Sequence, residues 1–200
     1  MSSRAFHRVT VIKGGPSAER EVSLASAAEV SKALRAQGYN VTDVDAGPDL
    51  VVDLCKSKPD VVYNSLHGRW GEDGCVQVLL EWQQILYTHS GVFASALAMD
   101  KEKSKDVFRA AGLPVMDSRL VPKKDVMAAH PMQPPYVIKP FNEGSSVGVY
   151  LVEEASESTA KLSDDMPDLV MVEAFAPGRE LTTTVMGGRA LGVTDIITEG

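Results

Sequence analysis

The run YVIKPFNEGSSVGVYLV, residues 136–152, sets a lysine inside an apolar strand pattern and follows it with a loop of glycines and serines. Glycines let backbone amides approach a polyphosphate, serine hydroxyls add donors, and Lys139 supplies countercharge. The GxxxxGK[ST] order of a Walker loop is absent, because here the lysine precedes the glycines. The same residues also suit a plain hairpin, in which Lys139 reaches past the sheet edge and Gly144, Ser145, Ser146 and Gly148 only turn the chain. Lys101 bears on the choice. It stands in the first turn of a helical pattern opening Asp100-Lys101-Glu102-Lys103, where a positive charge opposes the helix dipole and an anionic ligand would explain it. A solvated charged face accounts for the run too, since Lys103 and Lys105 continue it.

A second glycine turn, GGPSAEREVSL at residues 14–24, follows a strand-like run and leads into a helix. Free amides at a helix start attract anions. Glu19 and Glu21 already occupy that ground, so the turn is ill suited to phosphate, and both carboxylates complement the dipole of the helix start.

These groups need elements to hold them. Strands are expected at His7–Lys13, Val41–Asp45, Val61–Leu66 and Ile85–Thr88. Helices are expected between them at Glu21–Gln37, Asp49–Ser57 and Cys75–Gln84, the first with Val22, Leu24, Ala25, Ala28 and Leu34 on its apolar face and Gly38 as its stop. Alternation of this kind predicts a parallel, doubly wound sheet whose ligands gather beyond the carboxyl ends of the strands, where GGPSAERE and SLHGRWGEDG both lie. After a helix capped by Asp100 and ended at Gly112-Leu113-Pro114, the pattern changes to strands at Ser118–Val121, Tyr136–Pro140, Val147–Val152, Val170–Phe175, Leu181–Met186 and Ala190–Ile197. That is an α+β arrangement, and a domain boundary is placed near residue 98.

Five segments, GGPSAEREVSLAS, SLHGRWGEDG, SALAMDKEKSK, VIKPFNEGSSVGV and VEAFAPGRELTTTV, occur in the order and with the spacing of the bacterial D-alanine–D-alanine ligases of the ATP-grasp superfamily, and the chain resembles that family over essentially all 200 residues. The resemblance implies an N-terminal Rossmann-like domain over 1–98, a central ATP-grasp subdomain over 99–178, and the start of a C-terminal ATP-grasp domain over 179–200. It implies ATP-dependent joining of two D-alanines through an acyl phosphate, for peptidoglycan precursors. Lys101 and Lys139 would contact ATP phosphates, and the loop of Glu143, Gly144, Ser145, Ser146 and Val147 would cover them. Glu173 would meet the nucleobase edge beside main-chain groups of Ala174 and Phe175, and Glu180 would hold the ribose. Glu19 would receive the ammonium group of the first D-alanine with Ser145 as its hydrogen-bond partner, and both count as catalytic positions. His67 would contact that substrate's carboxylate, whereas Glu21 is left to the helix dipole.

Two departures from the family pattern stand out. Ala174 replaces a frequent lysine after the glutamate, and the sequence stops at TDIITEG before the family's mobile loop and its metal ligands. Mg2+ or Mn2+ is implied, with ligands expected beyond Gly200 and none among the residues present, so these 200 residues alone are expected to show little ligase activity. Close alternatives are ligases taking D-lactate or D-serine second, and a non-catalytic binding protein.

Composition narrows the partners. A formal net charge of −7 offers no basic face for nucleic acid, so small molecules are the expected partners. No run is long and apolar enough for a bilayer, and Cys55 and Cys75 lack metal-ligand spacing, so a cytoplasmic protein with reduced thiols is expected. The resemblance adds a homodimer.

Overall fold

The computed structural model describes residues 6–144, 148–159 and 162–197. The first half is a four-stranded sheet with strand order β2-β1-β3-β4, made of β1 (Arg8–Lys13), β2 (Asn40–Asp45), β3 (Val61–Asn64) and β4 (Leu86–Tyr87). Every pairing in it is parallel, with Val9 opposite Val41 on one side and Val61 on the other. Parallel strands are covered on both faces, and β1 is accordingly buried from Val9 to Ile12. Val9 and Val11 face helix α1 (Arg20–Ala36) through Ala27, while Ile12 turns the other way to join Val44, Leu54 of α2 (Leu50–Ser57) and Leu80 of α3 (Cys75–Trp82).

The α1 face differs from the sequence expectation. Val22 is 47% exposed, and the buried residues are Ser23, Ala27 and Ser31. The reason is polar: Ser23 and Ser31 hydrogen-bond to Ser65 O and Asp43, so the serine face is the one turned inward. Strand β3 also stops earlier than expected. The Asn64 side chain accepts the Leu66 N–H at 3.1 Å and turns the chain before His67.

Two helices escape the sequence pattern. Helix α4 (Val92–Met99) reads VFASALAM, too uniformly apolar to show a period, and α6 (Lys123–Ala128) is only six residues long. Asp100 separates α4 from α5 (Lys101–Ala110) and caps α5 by accepting the Lys103 N–H at 3.0 Å.

The second sheet is antiparallel, with order β5-β8-β6-β7, from β5 (Ser118–Pro122), β6 (Tyr136–Lys139), β7 (Tyr150–Val152) and β8 (Leu169–Ala174). Its core packs Tyr136, Ile138, Val170 and Val172 against Val126 of α6. Strand β7 begins at Tyr150, after the left-handed Gly148, rather than at Val147. Strands β9 (Glu180–Met186) and β10 (Arg189–Ile196) form a separate antiparallel hairpin exposed on both faces. The architecture is therefore mixed α/β with one parallel and two antiparallel sheets. No helix among the described residues is long and apolar enough to cross a membrane.

Candidate functional site

Strand order reverses at β1 and β3, and the crevice beyond their carboxyl ends holds the first part of the site. Gly14 and Gly15 leave β1 in left-handed conformations, φ +69 and +73. Side chains then fasten this turn to the neighbouring loop. Ser23 Oγ accepts the Gly14 N–H at 2.8 Å and donates to Ser65 O at 2.6 Å, and Ser17 Oγ donates to His67 O at 2.8 Å. Arg20 spans to the end of β2 and pairs with Asp45 at 2.5 Å.

Glu19 is thereby buried, 4% exposed, at the start of α1, yet its side chain makes no capping hydrogen bond to that helix. It lies against Gly68 and Gly144: a Cβ at either position would stand 2.7 or 2.8 Å from Glu19 Oε1. Donor atoms of Glu19, His67 and Glu72 all lie within 4.8 Å of one another. Glu72 also accepts the Gly68 N–H at 2.7 Å, which fixes the loop carrying His67.

The second part of the site is made by α5 and the antiparallel sheet. Lys101 N–H donates to Phe141 O at 2.9 Å, and its ammonium donates to Glu143 O, tying the first turn of α5 to the loop after β6. Lys139, at the end of β6, pairs with Glu173 Oε2 at 2.5 Å, while Lys105 pairs with Oε1 of the same carboxylate. Two ammonium groups thus share one glutamate, and the third, that of Lys101, lies near Lys139, Glu143 and Glu173. Burial and then the Lys139 charge push the Lys101 pKa below the ordinary lysine range. Burial pushes Glu173 upward, but hydrogen bonds from Lys105 and Lys139 outweigh it and hold that carboxyl below its usual range. A cluster of partly desolvated ammonium groups is an environment that can receive a multiply charged anion.

A cleft of about 1360 Å3 joins the two parts. His67, Lys101, Lys139, Glu143 and Gly144 line it, as do Glu173, Ala174, Phe175 and Glu180. Glu19 does not itself line it, but lies against Gly144 and within 4.8 Å of the donor atoms of His67 and Glu72, which do. Ser145, Ser146 and Val147 lie outside the described residues. Ala174 and Phe175 have their N–H groups engaged by Asp117 O at 2.9 Å and Pro135 O at 3.1 Å, so neither amide is a spare donor for a base edge. Lys105 is 7% exposed and belongs to no solvated face, because the turn of α5 that brings Lys101 to the cleft also brings the residue four positions on. Arg20 and Lys105 are the residues sequence reasoning missed. Arg20 directly follows Glu19, and Lys105 sits at i+4 from Lys101, but each partner is distant in sequence.

Among the described residues Glu19, His67 and Glu72 are the set with metal-type donors in reach of one another. An imidazole in a set of three, with Glu72 already engaged by a backbone amide, does not fit the near-octahedral oxygen shell of Mg2+. No step below runs through a metal.

The site and the sheets define a mixed α/β protein with a lysine-lined cleft between a parallel and an antiparallel sheet. Residues 107–200 match the family model described as D-ala D-ala ligase C-terminus. The chain is 65% identical over 199 residues to the D-alanine–D-alanine ligase of Ruegeria sp. strain TM1040, and 62% identical over 200 residues to that of Dinoroseobacter shibae. Each alignment covers 100% of this chain and 65% of the relative, so the chain spans just under two thirds of their length. The D-alanine–D-alanine ligase of Bacillus anthracis in complex with ATP superposes with a TM-score of 0.78 at 27% identity, covering 96% of this chain and 66% of that one. Over its whole length the chain is thus similar to D-alanine–D-alanine ligases.

Proposed function

We propose that the protein of this chain joins two D-alanines at the expense of ATP, in the cytoplasm, to supply a dipeptide for peptidoglycan. The observation that carries the reading is the meeting of Glu19 and His67 with Lys101 and Lys139 around Gly144 in one cleft. A zwitterionic amino acid needs an anion for its ammonium and a donor for its carboxylate, and Glu19 beside His67 offers both. A triphosphate needs countercharge, which Lys101 and Lys139 offer. Residues 1–98 would then be the Rossmann-like substrate domain, 99–178 the central ATP-grasp subdomain and 179–200 the start of the C-terminal one.

Glu19 and His67 hold the first D-alanine with its carboxylate turned toward the γ-phosphate. A carboxylate oxygen forms a bond to phosphorus as the bond to the ADP oxygen breaks, giving an acyl phosphate. Lys101 and Lys139 stabilise the charge on the transferring oxygens, and the 143–147 loop excludes water. The amine of the second D-alanine attacks the acyl carbon, loses a proton and expels phosphate. Glu173 takes the base edge, with the carbonyls of Ala174 and Phe175 rather than their engaged amides beside it, and Glu180 takes the ribose. Small-molecule partners suffice for this chemistry, and a homodimer is part of the proposal.

Full-length protein incubated with ATP, magnesium and D-alanine should release ADP and phosphate in step with D-alanyl-D-alanine, followed by mass spectrometry. Binding of ATP without turnover would sink the enzymatic reading, and preference for D-lactate or D-serine in second place would redirect it.

A further inference from the structure

The Glu173 carboxylate has two cationic partners in different settings. Lys105 holds Oε1 with its side chain 8% exposed, whereas Lys139 holds Oε2 at the cleft with its side chain 21% exposed. Lys101, the third ammonium, has the Glu143 carbonyl instead. If Lys139 turns to a phosphate, Glu173 loses one of its partners, and a largely buried carboxylate stripped of all countercharge is strongly disfavoured. Lys105 removes that obstacle.

We infer that Lys105 is a positioning residue for the nucleotide: it anchors Glu173 through Oε1, so that Lys139 exchanges Oε2 for a phosphate while Glu173 stays ionised and aimed into the cleft. The inference rests on the ATP reading above and extends it to a residue that need not touch the ligand. Without Lys105, Lys139 becomes the sole cation of Glu173, and each ATP bound must break that pair.

The test uses full-length protein. Lys105→Met should raise the KM for ATP about tenfold, the scale of one hydrogen bond to a charged group, with the D-alanine KM values unchanged. Lys105→Arg, which keeps charge and reach, should recover most of the loss. Removing Glu173 should abolish the effect, so Lys105→Met/Glu173→Gln should match Glu173→Gln alone in ATP KM. A purely structural Lys105 would lower the melting temperature and leave the ATP KM in place. An unchanged ATP KM in folded Lys105→Met, or a further rise in the double variant over Glu173→Gln, overturns the inference. Should Lys105→Met not fold, Lys105→Gln, which keeps a hydrogen-bond donor without the charge, takes its place with the same expected rise in ATP KM, and an unchanged KM there overturns the inference. Absence of ATP-dependent dipeptide synthesis in the unmutated protein would instead defeat the functional reading, so the two failures are distinct.

Discussion

Glu19 Oε1 lies so close to the α-carbon of Gly144 that a methyl group there would stand 2.8 Å from it. The proposed amino-acid end of the cleft and the loop proposed to cover the phosphates therefore meet at Gly144. Gly144→Ala should displace the Glu19 carboxylate by a few tenths of an ångström or more. Misplacement of a positioning group by about 1 Å costs on the order of 10²-fold, so the first-site D-alanine KM or kcat/KM should suffer by about 10- to 100-fold. The melting temperature should barely move, because the clash falls on the end of a side chain. Steady-state kinetics beside a thermal melt check this, and unaltered D-alanine kinetics would contradict it.

Glu19→Gln separates the substrate role from the helix role. The side chain makes no capping bond to α1, which weakens the case for a purely local function. The amide keeps the shape without the charge, so first-site use of D-alanine should fall while ATP KM holds. If Glu19 served only the helix dipole, the variant would lose about 0.3–1 kcal/mol in a denaturant melt and keep its D-alanine dependence.

Lys139→Ala should raise the ATP requirement and slow turnover by roughly 10²–10³, the scale of one lost contact to transferring charge. Glu173 retains Lys105 in this variant, so the fold should persist. Wild-type ATP kinetics in a folded Lys139→Ala protein would make Lys139 an ordinary strand lysine.

The depressed Lys101 pKa gives a pH dependence with a definite sign. Burial and Lys139 favour the neutral amine in the free protein. A bound phosphate favours the ammonium, so binding takes up a proton once pH reaches the depressed pKa, and affinity falls as pH rises further. ATP KM should therefore climb on the alkaline side before the ordinary lysine range is reached. Lys101→Arg, which stays charged there, should flatten that limb, and an identical limb in the variant would assign it elsewhere.

Local signals were legible in the sequence where one short segment contains the whole cause. Asp100 caps α5 by bonding within its own first turn, and Gly38 ends α1 in a left-handed conformation three residues from the carbonyl it binds. Arg20 with Asp45 and Lys105 with Glu173 were not legible, because only the fold brings together partners 25 and 68 residues apart. Serines buried in α1 ran against the apolar expectation, since their hydroxyls bond to neighbouring chain segments that no helical period reveals.

The slot around Glu19 also bears on how this sequence can drift. Gly68 and Gly144 flank one carboxylate, and Gly68 is left-handed at φ +67 besides. A side chain at either glycine requires the residue at 19 to retract, and a longer reach at 19 requires both glycines to stay bare. Positions 19, 68 and 144 thus form one hereditary unit despite their separation in the chain, and change among descendants of this sequence should come to them together or not at all.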